Sequence, residues 1–270
     1  MLGSIIGDII GSTYEFRNTD KYDFDPFPSG SGFTDDTVLT AGIADAILSG
    51  RNYSETVREY ALNYPGKGYG EWFSRWIHME NPMPYRSFGN GSAMRVSPVG
   101  WAFDSLGETL KEAERSSSIT HSHPEGKKGA KVVAAAIFLA RTGHDKAEIR
   151  KFIEKSYSYN LSRTLAGIKP FYSFNETCQK TVPEAIICFL ESENYEDAVR
   201  KAIWLGGDSD TLACIAGGIA EAYYRKMPQE WIERSASLLD DKIKAIIDRF
   251  GKRFGLPCGI SGSNIINPEI

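Results

Sequence analysis

Two pairs of acids stand at the mouths of apolar helices. Gly206-Gly207-Asp208-Ser209-Asp210-Thr211 precedes a run from Leu212 to Ala220 that carries no charge until Glu221. A helix apolar on every side is normally buried, so these carboxylates open onto the protein interior. Residues two apart on a helix do not face each other. Asp208 and Asp210 therefore converge only if Asp208 lies in the turn ahead of the helix, with Asp210 and Thr211 in its first turn. Oxygen donors so spaced suit a hard divalent cation such as Mg²⁺ or Mn²⁺; the plain alternative is an N-cap, for which Asp, Ser and Thr are all favoured. Thr34-Asp35-Asp36-Thr37 repeats the arrangement ahead of a second helix, with Leu39, Ile43, Ala46 and Ile47 on one face. Two such sites in one chain have the form of two halves of a single cation site.

Charge bookkeeping sharpens this. Glu15, Asp35, Asp36, Asp208 and Asp210 would place five negative charges in one pocket, and they cannot all stay ionised without compensation. Two divalent cations supply four positive charges, and the hydroxyls of Thr34 and Thr211 can complete coordination without adding charge. A two-metal site activates water and orients hydroxyl-bearing substrates. The residues alone lead to a dinuclear hydrolase and no further. Phe88-Gly89-Asn90-Gly91-Ser92-Ala93-Met94-Arg95 is a glycine-punctuated loop entering a helix, able to offer backbone N–H groups to an anion or simply to make a tight turn. His121 follows a helix and can hydrogen-bond a sugar or base. Tyr69, Trp72 and Phe88 are candidates for stacking on a base.

The elements that must position these groups read as helices. Gly3, Gly7 and Gly11 fall four apart on a helix from about residue 2 to 14 that also carries Asp8. Each glycine costs roughly 1 kcal/mol of helix propensity relative to Ala, so the stripe implies close packing of another helix. The long Phe16–Phe33 segment lacks periodicity and is expected to be a functional loop or lid. Further helices are predicted over residues 54–62, 71–79, 92–103, 105–120, 129–140 and 145–157. A capping box at Thr181–Glu184 opens another, Asn194 caps the next, and a last one ends at Gly255 and Pro257. There is no alternating strand and no βαβ rhythm. Acids near positions 35 and 210 must meet, which favours one all-α domain over residues 1–270.

Composition narrows the function class. A net charge of −4 and a pI near 5.7 argue against a basic nucleic-acid footprint. The N-terminal apolar run has no preceding basic residue and is interrupted by Asp8, unlike a signal peptide. No stretch is long enough to span a bilayer. Cys178, Cys188, Cys214 and Cys258 are scattered singletons, consistent with a reducing, cytoplasmic setting. A monomer is the expected state.

Taken together, Gly7-Asp8 with Tyr14-Glu15, Thr34-Asp35-Asp36-Thr37, the Gly89–Arg95 loop, His121 and Gly207-Asp208-Ser209-Asp210-Thr211 resemble the ADP-ribosylglycohydrolase family. The motifs occur in family order from about Gly3 to Thr211. The resemblance implies a compact orthogonal multi-helix bundle around two Mg²⁺ or Mn²⁺ ions. It implies Thr34, Asp35, Asp36 and Asp210 at one ion and Asp208, Asp210, Thr211 and Glu15 at the other. It also implies that Phe88, Gly89, Asn90, Gly91, Ser92 and Met94 hold a diphosphate and distal ribose, with His121 helping to fix ADP-ribose. Asp35, Asp36 and Glu15 are the expected catalytic carboxylates, with Asp35 or Asp36 as proton shuttle. Ser209 stands where the family more often has Thr, and is expected to point away from the ions. The implied reaction is hydrolysis at the anomeric carbon of the distal ribose of an ADP-ribose-bearing molecule or modified protein. Two rivals are a catalytically inactive ADP-ribose binder or structural relative, and an HD-type metal phosphohydrolase suggested by His144-Asp145. The latter pair is more simply a turn and an N-cap.

Overall fold

The computed structural model describes residues 1–256 and 260, and every regular element among them is helical. In chain order these are α1 (Leu2–Gly11), α2 (Asp35–Ser49), α3 (Tyr53–Asn63), α4 (Glu71–Ile77) and α5 (Gly91–Met94). Next come α6 (Ser97–Ala102), α7 (Leu106–Ser117), α8 (Pro124–Arg141), α9 (Lys146–Tyr157) and α10 (Leu165–Ile168). The chain continues through α11 (Cys178–Leu190), α12 (Tyr195–Leu205), α13 (Ser209–Tyr224), α14 (Gln229–Leu238) and α15 (Asp241–Phe254). The all-α bundle expected from the sequence is what forms. None of the described helices is long and apolar enough to cross a membrane.

The centre of the bundle is the α1–α13 pair, flanked on α13 by α12, α11 and α8. The glycine stripe explains the intimacy of that pair. A Cβ on Gly7 would lie 2.1 Å from the Ala213 carbonyl oxygen, and one on Gly11 would lie 2.4 Å from the Cα of Asp210. Only hydrogen at those positions lets the two backbones meet. α1 itself is shorter than its apolar pattern suggests. It stops at Gly11, where the Tyr14 N–H turns back to the Gly11 carbonyl and releases the chain toward Glu15.

Two other expectations are corrected. The helix predicted over residues 92–103 is broken at Arg95–Val96 into α5 and α6. Pro98 has no N–H to give the Met94 carbonyl, and that oxygen instead accepts from Cys214 Sγ at 3.4 Å and Thr40 Oγ1 at 3.5 Å. Thr181 does not cap a helix: α11 begins earlier, at Cys178, and contains Pro183. Its start is fixed from outside, by the Cys178 N–H donating to the Phe88 carbonyl and the Asn90 N–H donating to the Glu176 carbonyl. Asn194 does cap α12 through the Asp197 N–H, and Gly255 closes α15 in a left-handed conformation. Pro257 and Cys258 lie outside the described residues.

The Phe16–Phe33 segment is pinned down along its length. Tyr14 Oη donates to the Asp25 carbonyl at 2.6 Å, Tyr22 donates to Asp197, and Arg200 Nη1 reaches the Phe24 carbonyl at 3.0 Å. Phe24 is buried beneath it.

Candidate active site

The acids predicted from the sequence come together where the ends of α1, α2 and α13 meet. Asp208 occupies the turn before α13 and Asp210 its first turn, while Asp35 and Asp36 form the first turn of α2. Asp208 is not acting as a cap, since its side chain accepts nothing from the helix backbone. Its Oδ2 instead accepts from the Asn90 carboxamide at 2.6 Å. Carboxylate oxygens of Glu15, Asp208 and Asp210 lie within 4.8 Å of one another. Thr211 Oγ1 donates to Asp36 Oδ1 at 3.4 Å, joining the two halves of the cluster.

A residue the sequence reading left without a role organises the α2 half. Asp8 is fully buried. It accepts from the Thr34 N–H at 3.0 Å, Thr34 Oγ1 at 2.6 Å, the Thr37 N–H at 3.1 Å and Thr37 Oγ1 at 2.5 Å. Those bonds satisfy helix-start donors that would otherwise be orphaned and hold Asp35 and Asp36 against the α1–α13 pair. The available signal was a lone acid in an apolar helix.

The acids crowd one another, and Glu15, Asp35, Asp36 and Asp210 are raised together. Burial, then the neighbouring Asp208, Glu176 and Asp8, raise the Glu15 carboxyl from 4.5 to about 7. Burial and the Asp8 and Asp208 charges push Asp35 well above the usual carboxylate range. Asp36 is raised by burial with Asp8 and Asp35, and Asp210 by burial with Asp208 and Asp36. Such a set favours either protonation or a bound cation. Asp36 Oδ2 is buried without a hydrogen-bond partner, and the donors are all carboxylate or hydroxyl oxygens. This set fits hard divalent ions.

Above the acids opens a cavity of about 560 Å³, lined by Glu15, Asp35, Asp36, Asp208, Asp210 and Thr211 below and by the Ser87–Gly91 loop and Trp72–Tyr85 at its sides. Trp72 and Tyr85 stack with ring centroids 6.4 Å apart, and Phe88 leans on His123 at 5.3 Å. Tyr69 lies behind the lining: its hydroxyl bonds the Tyr64 carbonyl and its ring packs on Phe73, which does line the cavity.

The glycine-punctuated loop is tied to its neighbours by hydrogen bonds. Gly89 bridges to Thr177, Asn90 Nδ2 also reaches Thr181 Oγ1 at 3.1 Å, and Cys178 Sγ donates to the Gly89 carbonyl at 3.0 Å. His121, expected to meet a ligand, has both ring nitrogens engaged by protein. Nε2 donates to the Gly89 carbonyl at 3.1 Å, so Nδ1 accepts from Thr120 Oγ1 at 2.7 Å. Burial and the nearby Arg95 keep the ring pKa well below its usual value, consistent with that neutral tautomer. Arg95 Nη2 in turn donates to Thr120 Oγ1 at 2.9 Å. The ring thus shapes the cavity wall instead of offering a free donor.

Ser92 is likewise turned away, its hydroxyl donating to the Gly126 carbonyl at 2.7 Å. Gly89, Asn90, Gly91, Phe88 and Met94 do line the cavity. Ser209 is buried against α1, its carbonyl 2.7 Å from where a Gly11 Cβ would sit, and is absent from the lining. Arg95 and Glu176 line the cavity without having been singled out. Arg95 is a buried cation, held down to about 10 by burial, and its signal was a single Arg between apolar Met94 and Val96. Glu176 sits in a loop with no motif to flag it.

The HD reading is not supported. Asp145 closes a capping box with Glu148 at the start of α9, and His144 bonds to the carbonyl of Leu139 at 3.2 Å.

Five carboxylates thus form the floor of one cleft, with the glycine-punctuated loop and aromatic side chains at its sides. The chain belongs to the ADP-ribosylglycohydrolase family, whose model matches residues 1–259. Among its relatives are the ADP-ribosylhydrolase ARH3 of Homo sapiens, 26% identical over 86% of each chain, and that of Bos taurus, 25% identical with the same coverage. The ADP-ribosylarginine hydrolase Tri1 of Pseudomonas putida (strain GB-1) is 26% identical over 87% of this chain and 73% of that protein. The solved structure of an ADP-ribosylglycohydrolase-related protein complex superposes with a TM-score of 0.71 at 23% identity, over 93% of this chain and 95% of that one.

Proposed function

We propose that this protein is a hydrolase, dependent on two Mg²⁺ or Mn²⁺ ions, that cleaves the bond at the anomeric carbon of the distal ribose of ADP-ribosylated substrates and releases ADP-ribose. The observation that carries the reading is the convergence of Glu15, Asp35, Asp36, Asp208 and Asp210 on the floor of one cavity, in a chain of this family. Thr34, Asp35, Asp36 and Asp210 are the candidates to hold one ion, and Glu15, Asp208, Asp210 and Thr211 the other. Bound there, the ions would supply counter-charge and Lewis acidity.

The protein's own groups divide the remaining work. The Phe88–Met94 loop forms the wall against which the diphosphate and ribose would lie. Gly91 and Ser92, at the start of α5, have N–H groups with no intrahelical acceptor. The Arg95–Thr120–His121–Gly89 chain of hydrogen bonds fixes that wall. Trp72 and Tyr85 offer an aromatic surface at the side of the cleft. Glycoside cleavage passes through an oxocarbenium-like transition state, which nearby carboxylates stabilise and for which one of them transfers a proton. Asp35 and Asp36 are the candidates for that transfer, and Glu15, half-buried beside the long loop, is the third candidate catalytic carboxylate.

The test is release of free ADP-ribose from a panel of defined ADP-ribose linkages, with Mg²⁺ or Mn²⁺ present and with EDTA. Activity on at least one linkage, lost in EDTA and lost in Asp35→Ala and Asp210→Ala proteins of unchanged far-UV helical signal, is expected. Full activity in either variant would refute the metal assignment. Tight ADP-ribose binding without turnover on any linkage would indicate a binder instead.

A further inference from the structure

Asn18, on the long loop after α1, makes a set of hydrogen bonds that joins two members of the acidic cluster. Its Oδ1 accepts from the Gly207 N–H at 2.8 Å, while its Nδ2 donates to the Gly207 carbonyl at 3.1 Å. The same Nδ2 donates to the Tyr14 carbonyl at 2.6 Å and the Glu15 carbonyl at 3.2 Å. The acceptor faces an N–H and the donors face carbonyls, so only one orientation of the amide satisfies the set.

The surroundings are shaped for it. Gly206 and Gly207 both take positive φ, 85° and 77°, and a Cβ on Gly206 would lie 3.1 Å from Asn18 Oδ1. The side chain therefore rests in a cradle made by two glycines immediately before Asp208. One amide grips the backbone of Glu15 on one side and the peptide preceding Asp208 on the other. Carboxylate oxygens of those two residues lie within 4.8 Å of each other and of Asp210.

We infer that Asn18 is a positioning residue: it holds Glu15 and Asp208 in register so that the cluster is preformed for a divalent ion. The inference rests on the metal reading given above. Outer groups that orient ligand residues typically change metal affinity by about 10–100-fold. Asn18 is solvent-exposed as a residue, which places its effect at the lower end.

The experiment is Mn²⁺ titration followed by EPR on wild-type, Asn18→Ala and Thr19→Ala proteins, with the melting temperature of each measured in EDTA. Thr19 is the control, since among the described residues its hydroxyl accepts from the Lys21 N–H in the same loop. Expected is roughly tenfold weaker Mn²⁺ binding in Asn18→Ala, unchanged binding in Thr19→Ala, and EDTA melting temperatures that agree among the three. Wild-type protein that takes up no Mn²⁺ overturns the metal reading and this inference with it. Wild-type binding that Asn18→Ala matches, that Thr19→Ala loses equally, or that falls only in step with the EDTA melting temperature overturns the inference alone.

Discussion

The carboxamide of Asn90 donates to the carboxylate of Asp208 at 2.6 Å across 118 residues of sequence. This bond ties the glycine-punctuated wall of the cavity to its acidic floor. It also uses the side chain that the family resemblance implied would hold the ligand. Asn90 therefore stands between the two parts of the site, and its removal should disturb both.

Asn90→Ala deletes a short hydrogen bond to a charged acceptor and leaves Thr181 Oγ1 without that donor. Activity is expected to fall about 10–100-fold, with part of the loss recovered at high Mg²⁺. Asn90→Asp places a further carboxylate against Asp208 and should be worse at every Mg²⁺ concentration. Rates measured across a Mg²⁺ titration distinguish the two; equal rates for both variants would show that the amide does not set the Asp208 position.

Asp8→Ala removes the acceptor for two backbone N–H groups and two hydroxyls at the start of α2. The Thr37 N–H is buried and the Thr34 N–H partly so, so a destabilisation of about 3 kcal/mol is expected. Urea unfolding in EDTA measures it, because any contribution of metal binding is then removed. A loss of well under 1 kcal/mol would mean that the helix start is held by something else.

Metal-free stability should depend on pH in a direction set by the raised acids. Folded Glu15 titrates near 7 where its ordinary value is 4.5, and Asp35, Asp36 and Asp210 are raised too. The folded state then keeps protons that the unfolded chain gives up, so stability falls as pH rises. The contribution of Glu15 is complete below 4.5 and gone above about 7. Melting temperatures in EDTA should drop across this interval. Excess Mg²⁺ should raise them more at its alkaline end, where the acids are ionised. A flat profile in EDTA would contradict the crowding of these carboxylates.

Gly7→Ala should be among the most damaging single-methyl additions to the protein. Its Cβ would fall 2.1 Å from the Ala213 carbonyl oxygen, and neither backbone can yield without separating α1 from α13. Overpacking of a core usually costs about 1–3 kcal/mol, and contact with main chain instead of a flexible side chain places this case at or beyond the upper end. Gly50→Ala serves as a comparison, because nothing lies within 4 Å of its added carbon and only the left-handed backbone is strained. Thermal unfolding of the pair checks the ranking.

How far the sequence revealed the site depends on whether the information was local. Asp35, Asp36, Asp208 and Asp210 were visible because acids beside uncharged helical runs violate the ordinary pattern. The glycine spacing in α1 likewise announced a tight helix contact. Helix ends were less legible. The break at Arg95–Val96 turns on which neighbour can accept the role of a missing Pro98 N–H, and the start of α11 on a bond from a loop nearly ninety residues earlier. Non-local partners also reassigned side chains. His121 and Ser92 face carbonyls of Gly89 and Gly126, and no pattern within either segment discloses that. Asn18 lies in a loop whose length was visible but whose individual residues carried no motif, and Glu176 in a loop with none, so only folded proximity gives the two side chains meaning.

The meeting of α1 and α13 through bare backbone has a consequence for how such an enzyme can change. Because Gly7 and Gly11 rest on Ala213 and Asp210 main-chain atoms, the reference frame for the acids contains no rotatable bond at the contact. Residues lining the cavity above the acids, among them Tyr85, Phe88 and Glu176, are carried by connecting segments. Substitutions there can reshape the cavity walls while its acidic floor keeps its dimensions.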